Sequence, residues 1–120
     1  MNEEKNLRYV GELWDNSILP SLADYVKIPA KSPLFDANWE TNGYMEDAVE
    51  LMLAWVKKQD VQGLQIEVHR LPGKTPIILM SLDGDSNDTV LIYGHLDKQP
   101  EFNGWEAGLL GLQLATLSEE

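Results

Sequence analysis

The hydrophobic period of the chain changes once, near Gly63, and this restricts the fold more than any other feature. Before the change, Leu7, Val10, Trp14, Ile18, Leu22, Tyr25 and Val26 recur at helical spacing, with Glu12, Asp15 and Asp24 falling elsewhere. That stripe predicts an amphipathic helix facing a core. Pro20 lies within it and lacks a backbone donor, so a kink or restart is expected around Ile18 to Pro20. A second stripe, Met45, Ala48, Val49, Met52 and Val56, ends in Lys57 and Lys58 and predicts a helix from about Gly43 to Gln59. Between them "IPAKSPLFDANWETN" carries two prolines and no period, as an irregular connection would.

After the change, Leu64, Ile66 and Val68 alternate with Gln65, Glu67 and His69, the pattern of a strand with one wet face. His69 falls on the polar side, where a solvated role is the simplest reading. "TPIILMSL" and "TVLIY" are continuous apolar runs that predict strands covered on both faces, and "DGDSND" between them reads as a hairpin turn. Two N-terminal helices followed by about three strands make an α/β class, with the sheet layered against helices.

A length of 120 residues suits one domain, and 43% apolar with 8% aromatic residues is enough to build a core. Nine basic against 20 acidic residues give a net charge of −11, which opposes nucleic acid and anionic membrane surfaces as partners. Cysteine is absent, which removes disulfides, thiolate metal sites and cysteine nucleophiles. "MNEEKNLRYVGELW" has no secretory pattern, and no apolar run approaches the roughly 20 residues that cross a bilayer, so a soluble cytoplasmic protein is expected.

Three short motifs fail on their own requirements. "DGDSND" begins like a calcium loop, but Asp88 and Gly94 stand where glycine and glutamate are needed. "GKT" at Gly73 to Thr75 ends like a phosphate loop, yet Val68 replaces its first glycine and Pro76 leads into a strand. Asn87-Asp88-Thr89 is a glycosylation sequon without a secretory signal. No serine stands in a nucleophile-elbow context.

His95-x-Asp97 is different. Gly94, His95 and Asp97 follow the run "VLIY", at the carboxyl end of an expected strand, where ligand sites of open α/β sheets gather. In extended chain, residues two apart project to one side, which brings the Asp97 carboxylate to the His95 imidazole. A metal-bound histidine is commonly oriented by such an acceptor.

The longer string "VLIYGHLDKQPEFNGW" closely resembles the first metal-binding motif of the M20 metallopeptidases, particularly their dipeptidase and carnosinase-like branch. "IPAKSP" and "LPGKTPIIL" are also similar to that family's N-terminal segment. The resemblance implies that residues 1–109 are the N-terminal part of an M20-type catalytic domain with a partial zinc-exopeptidase-like fold. It implies that His95 is a zinc ligand and Asp97 the catalytic carboxylate that orients it. The family's enzymes hydrolyse dipeptides or short peptides with two divalent metals, a bridging aspartate, a glutamate base and further ligands. No position here matches those later residues, and no histidine follows His95.

Residues 110–120 depart from the family after "GWEAGL", and a divergent tail from a truncated or frameshifted gene is the expectation. The chain alone is then expected to be inactive, with an incomplete zinc site and apolar surface that favours self-association. The alternative is a non-catalytic α/β interaction module.

Overall fold

A computed structural model of the protein describes residues 2–101, and these fall into two compact units divided after Pro29. In the first unit, α1 (Glu3–Leu13) is capped by Asn2, whose side chain accepts from the Lys5 amide at 3.1 Å. Glu3 and Glu4 stand at its positive end. A π-helical turn, Trp14–Ile18, then leads into α2 (Leu19–Lys27). Pro20 explains the turn: it cannot donate to the Asn16 carbonyl, and just before it the Leu19 amide reaches back five residues to Trp14. The expected disturbance is therefore a π turn within continuous helix. Asn16 adds a side-chain bond to the Glu12 carbonyl at 2.8 Å.

The predicted stripe lies along this helix, but its burial differs from expectation. Ile18 and Tyr25 are half-buried, whereas Leu7, Val10, Trp14, Leu22 and Val26 are exposed. Periodicity specifies which residues share a face; whether another element covers that face is a separate matter.

The second unit spans Ala30–Pro100. Within the predicted irregular connection, Asp36 organises a short helix, α3 (Trp39–Asn42), by accepting from the Asn38 amide at 2.9 Å and the Asn42 side-chain amide at 2.7 Å. Gly43, at φ 79°, ends α3 and starts α4 in a backbone conformation that a larger residue adopts only under strain. Helix α4 (Tyr44–Lys58) matches the second stripe closely. Met45, Ala48 and Val49 are buried, Met52 and Val56 half-buried, and with Ala30 the first three form the described core.

Strands β1 (Gln65–His69) and β2 (Ile77–Ser81) form a two-stranded antiparallel sheet in which Val68 faces Ile78 and His69 faces Ile77. The fold is thus mixed helix and strand. The link, Arg70 to Pro76, turns through Gly73 at φ 70°, with the Lys74 amide bonded to the Leu71 carbonyl at 3.0 Å. Ile66, Val68 and Ile78 are half-buried, while Glu67 and His69 are exposed, as alternation predicts.

Two expectations about the later strands are corrected. Strand β2 is not covered on both faces, since Ile77, Leu79 and Met80 remain exposed. "TVLIY" forms no strand, and Val90 to Tyr93 are 84–91% exposed. "DGDSND" consequently joins no hairpin. The physical reason is common to both: an apolar β-prone run becomes a strand only where a neighbouring edge supplies hydrogen bonds and a layer supplies cover. Among the described residues, no strand pairs with Val90 to Tyr93. No helix there is long and apolar enough to cross a membrane. Trp105 and the tail of residues 110–120 lie outside the described residues.

Candidate functional site

His95 and Asp97 follow the Val90 to Tyr93 segment, which pairs with no strand among the described residues, so they do not stand at the end of a described strand. Their spacing nevertheless brings them together. The His95 ring nitrogen Nδ1 lies 2.9 Å from Asp97 Oδ1 and 3.0 Å from the Asp97 main-chain oxygen. A carboxylate oxygen and a carbonyl oxygen both only accept, so Nδ1 is the donor and carries hydrogen. The neutral ring then keeps its lone pair on Nε2. The His95 side chain is 64% exposed and that of Asp97 33%, so the orienting group is the more sheltered of the two.

A short parallel bridge follows immediately. The Lys98 amide donates to the Ala30 carbonyl at 2.9 Å, and the Ser32 amide donates to the Lys98 carbonyl at 3.0 Å. Ala30 is buried, and partial burial also pushes the Lys98 ammonium below its ordinary pKa. Sequence reasoning read "IPAKSP" as the start of an irregular connection and for its resemblance, and missed this contact, which joins segments far apart in the chain. The prolines at 29 and 33, which hold the backbone extended around Ala30 to Ser32, were the available signal.

The second histidine has its own carboxylate two residues away. His69 Nε2 lies 3.0 Å from Glu67 Oε2 on the wet face of β1. This is the same local spacing, but it engages the other ring nitrogen. Further along, Arg70 donates from Nε to Glu46 Oε2 at 3.0 Å and from its terminal nitrogen to Oε1, tying the end of β1 to the first turn of α4. That hydrogen-bonded guanidinium holds the Glu46 carboxyl below its usual range, against a smaller opposing effect of burial.

Zinc takes three or four protein ligands at a structural or catalytic site. His95, with Nδ1 engaged and Nε2 available, is suited to be one of them. Among the described residues no group of three His, Cys, Asp or Glu side chains could hold a metal ion. Those residues therefore do not fit a complete zinc centre, and no chemical step through a metal follows from them. What the arrangement can do is fix one imidazole in one tautomer. No protein-family model matches the chain, and no curated protein matches it.

Proposed function

We propose that the chain is the N-terminal part of an M20-type metallopeptidase domain and contributes one corner of a two-metal site. In this reading His95 is a metal ligand through Nε2, and Asp97 orients it. The observation that supports it is the 2.9 Å contact between His95 Nδ1 and Asp97 Oδ1, the arrangement in which an acceptor raises the basicity of a metal-binding imidazole. The parent enzyme acts on dipeptides or short peptides with two divalent metals, zinc by family resemblance, in the cytoplasm. The remaining ligands and the general base come from other segments, so the chain alone turns nothing over.

Calorimetry with Zn²⁺ on the isolated chain is expected to show nothing tighter than about 1 μM, roughly −8 kcal/mol. A chimera joining residues 1–105 to the downstream part of an M20 dipeptidase is expected to release amino acids from a dipeptide panel. In it His95→Ala abolishes turnover and Asp97→Ala lowers it by about 10–100-fold. A chimera indifferent to both substitutions would sink the assignment.

A second reading, a non-catalytic interaction module, draws support from the 84–91% exposure of Val90 to Tyr93. In that reading this apolar segment is the binding surface, and self-association is one form of its use. A chimera that stays inactive although folded and metal-loaded would favour it.

A further inference from the structure

The bridge between Lys98 and the Ala30 to Ser32 segment lies one residue beyond the histidine–aspartate pair. On the other side, the chain runs back through Gly94 into Val90 to Tyr93, which is highly exposed. A side chain two residues from its partner keeps a fixed rotamer only if the backbone between them is held, because ordering a free backbone costs conformational entropy. Here the bridge holds the backbone directly after Asp97. Lys98 gives both its amide and its carbonyl to the bridge, at 2.9 and 3.0 Å. The recipient is anchored in turn, since Ala30 is only 2% exposed.

We infer that Ala30, Lys31 and Ser32 are a positioning clamp for the His95–Asp97 corner: by fixing the backbone at Lys98 they hold the Asp97 oxygens against Nδ1 and keep Nε2 as the open nitrogen. This inference rests on the metal-corner reading for its purpose, but its physical content concerns only the tautomer and orientation of His95. The clamp acts through main-chain groups. Ser32→Ala keeps the amide and leaves the corner intact, whereas Ser32→Pro removes the donor to the Lys98 carbonyl. Ala30→Leu disturbs the same contact by overfilling a buried position.

The test uses the full chain in dilute solution, with ¹⁵N-labelled histidine rings observed by NMR in mildly alkaline buffer. The wild type and Ser32→Ala are expected to show His95 with hydrogen on Nδ1, while His69 serves as an internal reference. In Ser32→Pro and Ala30→Leu the Nδ1–H form is expected to be lost to a mixture dominated by Nε2–H, with His69 unchanged. The inference is overturned if the wild type shows no Nδ1–H preference, or if the variants retain it after the Lys98 amide has lost its protection from hydrogen exchange. Unfolding of both variants would also overturn it, because the bridge would then be holding the fold and not the corner. The chimera described above separates the two ideas: a clamp-dependent tautomer in this chain, beside a folded chimera indifferent to His95→Ala, leaves the clamp standing and removes the metal-corner reading.

Discussion

Glu46 and Arg70 stand 24 positions apart, yet their side chains meet in a two-pronged ion pair. Neither residue is conspicuous in the sequence, because a partner this distant is chosen by the approach of two elements. His95 and Asp97 are the opposite case: two residues apart, they are within reach of each other by local spacing. The Glu46 pair also carries a pH signature. Its carboxyl has a folded pKa below the ordinary 4.5, so folding is favoured by the charged form. The contribution is fully present above pH 4.5 and is lost as acid carries the group through its lowered folded value. Arg70 remains charged throughout. Urea melts of wild type and Glu46→Gln are therefore expected to differ at neutral pH, with the wild type more stable, and to converge in strong acid. The difference should shrink with added salt, since both side chains are partly exposed. Equal midpoints at neutral pH would show that the pair contributes nothing.

At the level of elements, α4 holds three of the four buried apolar residues of the described fold. Its apolar spacing, acidic first turn and basic last turn all agree, and consistency of this kind makes an element legible in sequence. Val49, only 1% exposed, is its largest fully buried side chain. Val49→Ala removes two methyl groups from packed surroundings and is expected to cost about 2 kcal/mol, measured as a shift in the urea midpoint. A change below about 0.5 kcal/mol would mean that the site collapses around the cavity or is looser than its burial indicates. In the first unit Pro20 was visible as a disturbance, but the form it takes was not: a π turn depends on which carbonyl the neighbouring amide reaches. The small helix α3 was hidden for a related reason. It depends on one aspartate accepting two bonds from Asn38 and Asn42, and four residues are too few to set a period.

For the whole molecule, the question is how much apolar surface finds cover. Val90 to Tyr93, Leu79 and Met80 in one unit, and Leu7 and Val10 in the other, are all exposed. Exposed apolar residues favour association, and an apolar β-prone run can lend its edge to another chain. A net charge of −11 opposes that approach until salt screens it. The chain is expected to enhance the fluorescence of a hydrophobic dye and to sediment at higher mass as protein and salt concentrations rise. Substituting Leu91 and Ile92 with lysine should reduce both effects several-fold. A monodisperse monomer that binds no dye would show that these surfaces are covered in solution.

The sequence by itself determined the features that depend on near neighbours. The helix faces of α1, α2 and α4 follow from apolar spacing, the wet face of β1 from strict alternation, and the meeting of His95 with Asp97 from a two-residue interval. Tertiary structure decided what local chemistry leaves open. Among the described residues it left Val90 to Tyr93 without a strand partner, because β hydrogen bonds come from another segment; it joined Glu46 to Arg70; and it set Ala30 and Ser32 against Lys98. Each of these contacts is specified at both ends by distant residues, and its loop-closure cost is met only when the surrounding elements pack.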